Sequence, residues 1–370
     1  IININERTLS FSLDIDNLIL IDDGNIKLVV VGINNEDIIC RVLEGGILKS
    51  NKGVNIPNCE IQMNFLSDQD KNDIIFASRI GVDYIALSFV RNSNDVLDVN
   101  DILISERNEH TQIISKIECK SAIDDIDDII KVSDGIMVAR GDLGVEIELE
   151  KVPCVQKNII KKVRNKGKLC IVATEMLASM ETKQRPTRAE VSDVANAVID
   201  GVDAVMLSGE TAVGSYPIET VKTMFKIIEE TEKSLDHHKI LNDCYEEDNS
   251  DTTSVLAYST VEAANMLKVK AIVVTTISGY TARRVSNYRP NCPIIAVTPI
   301  DDTATSLSLS WGVIPVIIGK CNSTDEIINV STEKAKNNVD LNKNDKIIIT
   351  GGFPFEEAKT TNFMKVEEIN

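Results

Sequence analysis

From about Ser67 to Leu235 the chain alternates between two rhythms of apolar and polar residues. Short apolar runs (DYIALSFVR, TQIISKIE, SDGIMVARGDLG, KLCIVATEML and DAVMLSGET) break into charged or hydroxyl residues at their C-terminal ends. Between them lie longer stretches, such as DQDKNDIIFASRIG, NDVLDVNDILISERN and SAIDDIDDIIKV, with the periodicity of amphipathic helices. Buried strands alternating with such helices predict parallel βα units. Polar residues recur at the strand C-termini: Ser88 and Arg91, Lys116 and Glu118, Arg140 and Asp142, Thr174 and Glu175, Ser208 and Glu210. A (β/α)8 or TIM barrel builds its active face this way, more uniformly than a doubly wound sheet does. Five units are legible, and five strands cannot close an eight-stranded barrel. The expected fold class is α/β, with a partial TIM barrel over residues 57–236 that is about three strands short of closure.

The flanking segments have different patterns. Over residues 1–56, LILIDDGNIKLVVVGINN reads as a hairpin turning at Asp22, Asp23, Gly24 and Asn25. DIICRVLEGG adds a strand, and ILKSNKGVNIPN is a basic loop carrying Lys49 and Lys52, so a small all-β piece is expected. Residues 237–250 are polar and aperiodic and read as a linker. Residues 251–370 return to alternation and close on NFMKVEEI, which predicts a second α/β domain with an open sheet.

Composition narrows the function classes. A net charge of -18 over 370 residues argues against a nucleic-acid or anionic-membrane partner, since phosphate binding needs a basic footprint. The eight cysteines include no CxxC pair and read as reduced thiols of a cytoplasmic protein. No apolar run approaches the roughly 18 residues of a membrane span, and no signal peptide is visible. The chain opens on Ile1 without a methionine, so a longer protein is expected. His110, His237 and His238 lie outside the motifs and read as surface residues, which argues against histidine general-base chemistry.

The candidate chemistry centres on Thr111–Gly144. Side chains alternate along a strand, so Lys116 and Glu118 share a side while Ile117 faces the other. A cation beside one carboxylate, with Asp142 one βα unit later, can hold a hard metal and an anionic oxygen together. Oxygen ligands suit magnesium or manganese, not zinc. Thr187 and Glu190 form a capping-box pattern, and Lys183, Arg185 and Arg188 crowd that helix entrance, where an anion could sit. The turn TTISGYTAR, with Thr276, Ser278, Gly279 and Thr281, could cradle phosphate through backbone N–H groups.

SKIE, MVARGDLG, VATEML, RPTRAE, DVANAV and MLSGETA, in that order and spacing, resemble the pyruvate kinase family over nearly the whole chain. IDDG and KGVNIPN resemble the second half of that family's lid domain, and NYRPNCPIIAVTP its C-terminal domain. The resemblance implies phosphoryl transfer from phosphoenolpyruvate to ADP in glycolysis. It implies magnesium (or manganese), usually potassium, and a homotetramer in the cytoplasm. Carried over, Glu118 and Asp142 would ligate the divalent ion, and Lys116 would stabilise charge on the phosphoryl and enolate oxygens. Gly141 and Thr174 would bind the substrate carboxylate, and Lys52 would meet nucleotide phosphate. Thr174, or a water near it, would protonate enolpyruvate.

Several features depart from the family pattern. Its opening third, with a phosphate-binding arginine and the monovalent-cation ligands, has no counterpart, so this span alone is expected to be inactive and poorly folded. Glu175 stands where the family usually has Gln. Ile277 and Tyr280 replace polar and basic residues of the effector loop, and Glu356 and Glu357 would repel an incoming phosphate. Insensitivity to fructose 1,6-bisphosphate is therefore expected. Two other readings stand beside this one: a magnesium-dependent keto-acid aldolase or lyase barrel, and a non-catalytic paralogue.

Overall fold

The computed structural model describes residues 12–22, 24–35, 37–50, 52–57, 59, 64–108, 110–245, 251–321, 323–352 and 361–369. Glu356 and Glu357 lie outside the described residues, as does Asp23 of the hairpin turn. The chain forms two compact units, residues 1–159 with 172–175, and residues 160–171 with 176–370.

The first unit opens with the expected all-β piece. Strands β1 (Leu18–Ile21), β2 (Ile26–Asn34), β3 (Asp37–Glu44) and β4 (Val54–Asn55) lie in the order β3-β2-β1-β4, every neighbour antiparallel. The β1–β2 turn forms because Asp22 and Gly24 enter the left-handed region, at φ 56° and 81°, and Asn25 N–H closes back on the Asp22 carbonyl at 3.1 Å. Ile19, Ile21, Ile26, Leu28, Val30 and Ile56 form its core.

Parallel strands follow in the same unit: β5 (Tyr84–Leu87), β6 (Gln112–Ile117) and β7 (Gly135–Ala139), adjacent in chain order. The C-terminal end of β8 (Leu169–Ala173) comes next in this sheet. The connecting helices stop and start as their caps dictate. Asp68–Ile80 opens on a Ser67–Asp70 capping box and ends at Gly81, which takes φ 73°. SAIDDIDDIIKV, read as one helix, is instead two, Lys120–Asp124 and Ile126–Val132. The break falls at Asp125, whose carboxylate turns away to accept the Ser93 N–H at 2.7 Å. The MVARGDLG segment leaves its strand at Ala139 and winds into a short helix, Arg140–Glu146.

In the second unit β8 neighbours β9 (Ala204–Met206), tied by Asp203 N–H to the Cys170 carbonyl at 2.8 Å. Helix Arg188–Asp200 opens on the predicted box, Thr187 and Glu190 bonding each other's backbone N–H, and ends at Gly201 with φ 92°. The span expected to be an aperiodic linker carries a helix, His237–Tyr245, pinned by buried Leu241 and by His237 Nδ1, 2.7 Å from the Arg289 carbonyl oxygen. Residues 246–250 lie outside the described residues.

The C-terminal open sheet has β10 (Ala271–Thr275), β11 (Ile294–Thr298), β12 (Val313–Ile317), β13 (Lys346–Gly352) and β14 (Thr361–Glu368) in the order β12-β11-β10-β13-β14. The first four are parallel, and β14 runs antiparallel to β13. Alternate strand residues feed two cores: Ile272, Val274 and Ile294 meet helices Thr252–Leu267 and Tyr280–Asn287, while Val273, Ile295 and Ile347 meet helix Thr324–Asn338. Burial on both faces explains why these strands read as unbroken apolar runs. Among the described residues no helix is long and apolar enough to cross a membrane.

Candidate functional site

The candidate site lies where β5, β6, β7 and β8 end in the first unit. Pleating puts Lys116 and Glu118 on one side of β6, as the sequence predicts. Glu118 is fully buried, and its Oε1 lies 2.6 Å from Lys116 Nζ. Lys116 also donates to Ser88 Oγ at 2.7 Å, so the ammonium bridges the ends of β5 and β6. Glu118 Oε2 accepts the Phe89 backbone N–H at 2.6 Å. Phe89 presents that N–H from a left-handed conformation, φ 54°, which is uncommon for a bulky residue. Sequence reasoning missed this contribution, since it comes from the backbone and leaves no mark on residue type.

Three residues past the end of β7, Asp142 occupies the first turn of helix Arg140–Glu146 and is half-buried. Gly141 N–H donates to Thr174 Oγ1 at 2.8 Å, and that hydroxyl donates to the Ala173 carbonyl at 2.6 Å. The Gly141 N–H, expected to meet a carboxylate, is therefore engaged with Thr174. A Cβ at Gly141 would find Thr174 Oγ1 at 3.5 Å, an ordinary contact, so packing alone does not require glycine here. Arg140, read only as a polar strand-end residue, places Nη2 at 2.6 Å and Nε at 3.3 Å from the Thr174 carbonyl oxygen. Thr174 and Glu175 both lie in the left-handed region, at φ 68° and 55°.

These donors fit a hard cation. Glu118 Oε1 is buried and has no aligned hydrogen bond, which leaves an anionic lone pair for a metal. Among the described residues no three or more His, Cys, Asp or Glu side chains gather to hold a metal. Carboxylate oxygens suit magnesium, which is held by one or two of them together with water and substrate phosphate. Four residues beyond Asp142, burial pushes the Glu146 carboxyl above its usual range, with the Asp142 charge adding to the rise. The lid residue Asn55 opposes it with an amide hydrogen bond to Glu146 Oε1 at 3.4 Å.

Other predicted residues lie outside this cluster. On the lid, Lys52 Nζ sits 2.5 Å from Asp22 Oδ1, and that contact is the main cause holding the Asp22 carboxyl below its usual range. Glu175 is exposed. In the second unit Glu190 accepts from Ser179 and Thr187, so a protein carboxylate fills the helix entrance while Lys183, Arg185 and Arg188 are exposed. In the expected effector loop, Thr276 Oγ1 accepts the Gly279 N–H at 2.9 Å, Thr281 Oγ1 pairs with Thr361 Oγ1 at 2.7 Å, and the Ser278 carbonyl accepts from Arg283. Both threonine hydroxyls are buried and internally engaged. His110 and His238 are exposed, whereas His237 is half-buried against Arg289. A cavity of about 410 Å³ lined by Asn64, Phe65, Leu66, Lys71, Asp98, Asp101 and Ile102 contains none of the cluster residues.

The sequence matches two family models: the barrel domain of pyruvate kinase over residues 1–221 and its α/β domain over residues 254–367. Curated relatives named pyruvate kinase match along nearly the whole chain. That of Clostridium acetobutylicum is 47% identical over 353 residues, covering 95% of this chain and 75% of the relative. That of Clostridium perfringens is 46% identical, covering 95% and 74%. That of Sporosarcina psychrophila is 46% identical, covering 95% of this chain but only 60% of the relative. The α/β match and the whole-chain relatives remove the aldolase or lyase reading, which accounts for neither the lid nor the C-terminal domain. The chain belongs to the pyruvate kinase family.

Proposed function

We propose that the protein transfers a phosphoryl group from phosphoenolpyruvate to ADP, giving ATP and enolpyruvate that is then protonated at carbon to pyruvate. The observation that supports this reading is the end of β6, where an ammonium and a buried carboxylate oxygen with no aligned hydrogen bond stand side by side. Phosphoryl transfer needs positioning and charge neutralisation more than covalent participation. Lys116, held by Ser88 and Glu118, presents a fixed cation to the charge that develops on the transferring group. Glu118 and Asp142 would hold magnesium or manganese. When bound, that ion neutralises charge on the phosphoryl and enolate oxygens.

Thr174 and Gly141 would orient the substrate carboxylate. The hydroxyl proton of Thr174 points to the Ala173 carbonyl, so proton delivery to carbon through Thr174 would require that bond to break or a water to intervene. Lys52 would leave Asp22 for nucleotide phosphate. Potassium belongs with this chemistry, with ligands outside the residues assigned here. A cytoplasmic homotetramer fits the family. The internally engaged Thr276 and Thr281 favour insensitivity to sugar bisphosphates.

The test is turnover of phosphoenolpyruvate and ADP with magnesium by the protein as its gene encodes it. Lys116→Met should lower kcat by roughly 10²–10³-fold. A wild-type protein without turnover, or a Lys116→Met variant with undiminished kcat, would refute the proposal.

A further inference from the structure

Thr174 and Glu175 are consecutive non-glycine residues in the left-handed region. A β-branched side chain is a genuine outlier there. Such backbone persists only where the surroundings over-determine it. Four bonds do so at Thr174. Its hydroxyl donates to the Ala173 carbonyl and accepts the Gly141 N–H, while its own carbonyl accepts two N–H groups of one guanidinium. That guanidinium belongs to Arg140, the residue before Gly141 and two before Asp142. Arg140 and Gly141 thus grip the same threonine from opposite ends, one by its carbonyl and the other by its hydroxyl.

We propose that Arg140 is a positioning residue for phosphoryl transfer: its guanidinium clamps the Thr174 carbonyl, holds the strained turn after β8, and so fixes the Thr174 hydroxyl against Gly141 beside Asp142. A planar fork can place two N–H groups on one oxygen from a fixed direction, which a single ammonium on a flexible stem does not reproduce. The clamp ties the end of β8 to the helix that carries Asp142. Loosening it lets the turn relax toward ordinary backbone and carries the hydroxyl away. The inference rests on the phosphoryl-transfer reading for its kinetic consequence, but not for its structural one.

Two measurements on the full protein test it. In Arg140→Met, kcat should fall at least thirtyfold while the affinity for Mn²⁺ changes less than threefold. Adding Glu175→Gly, which removes the cost of the left-handed conformation at that second position of the turn, should recover at least fivefold of that loss. Adding Glu175→Gln, which removes only the charge, should recover none. Arg140→Lys keeps the cation and the stem, and it carries the test if the methionine variant does not fold; its kcat should fall at least tenfold. Independently of activity, exchange of the Gly141 amide should accelerate at least tenfold in either variant while that of Met137 in β7 stays unchanged. An active wild type whose Arg140 variants keep both kcat and Gly141 protection overturns the inference, as does equal rescue by glycine and glutamine. An inactive wild type with accelerated Gly141 exchange in the variants would instead sink the phosphoryl-transfer reading and leave the clamp standing.

Discussion

Glu118 is buried beside Lys116 at 2.6 Å in the first unit, and Arg289 is buried beside the half-buried Asp203 at 3.0 Å in the second. The surroundings of the two pairs differ. Arg289 is 2% exposed, donates to the Ser286 and Gly201 carbonyls, and stacks over Trp311 at 5.1 Å. Asp203 also accepts the Cys170 N–H at 2.9 Å. Burial pushes the Arg289 pKa down and the Asp203 charge opposes it, as expected of a cation enclosed by protein. At the other pair, the Lys116 side chain remains 23% exposed, and Glu118 Oε1 has no aligned hydrogen bond. A buried ion pair therefore does not mark a site by itself. Arg289 Nε is likewise buried without an aligned hydrogen bond, so an orphaned atom does not separate the two pairs; access does, the Lys116 ammonium opening at the strand ends while Arg289 is enclosed.

Substitutions should separate the two roles. Arg289→Met leaves the largely enclosed Asp203 carboxylate without its cation and should lower stability by about 3–5 kcal/mol, read as a fall in the denaturant midpoint. The folded fraction should keep kcat within about threefold; a stable variant with lost turnover would reverse the comparison. Glu118→Gln keeps the shape and the acceptor for Phe89 N–H while removing a buried charge. Its stability should change by no more than about 1 kcal/mol in either direction. A loss as large as that of Arg289→Met would make the Lys116 pair a packing element after all.

The exposed pair on the lid provides the smallest effect. Lys52 holds the Asp22 carboxyl below its ordinary value, so the pair's stabilising contribution is present above the unfolded pKa of about 3.9. It is lost as pH falls through the depressed folded value. In an NMR titration the Asp22 carboxyl should titrate below the ordinary carboxylate range in wild type and move up into it in Lys52→Met. An unchanged titration would show that Lys52 does not set it.

Much of this was legible in the sequence, for identifiable reasons. Lys116 and Glu118 could be put together because period-two alternation fixes which side chains share a face, whereas Asp142 and Thr174, in the helix and the turn after their strands, stood out only as polar residues following apolar runs. The Thr187–Glu190 cap was legible because both partners are local. Phe89 was not, since its part is a backbone N–H in an uncommon conformation. Nor was the grip of Arg140 on a carbonyl 34 positions away. The helix His237–Tyr245 escaped the periodicity because one of its anchors, the contact of His237 with Arg289, spans 52 positions. The break at Asp125 escaped for the same reason, its partner Ser93 lying 32 positions upstream.

Whether Glu118 is a metal ligand or a structural carboxylate decides between phosphoryl transfer and packing as the role of this strand end. Electron paramagnetic resonance titration of Mn²⁺, with oxalate standing in for enolpyruvate, reads this directly in wild type and in Glu118→Gln. Saturable binding at one site per chain is expected in wild type, with at least tenfold weaker affinity in the variant. Equal affinity in both proteins would contradict the ligand role of Glu118.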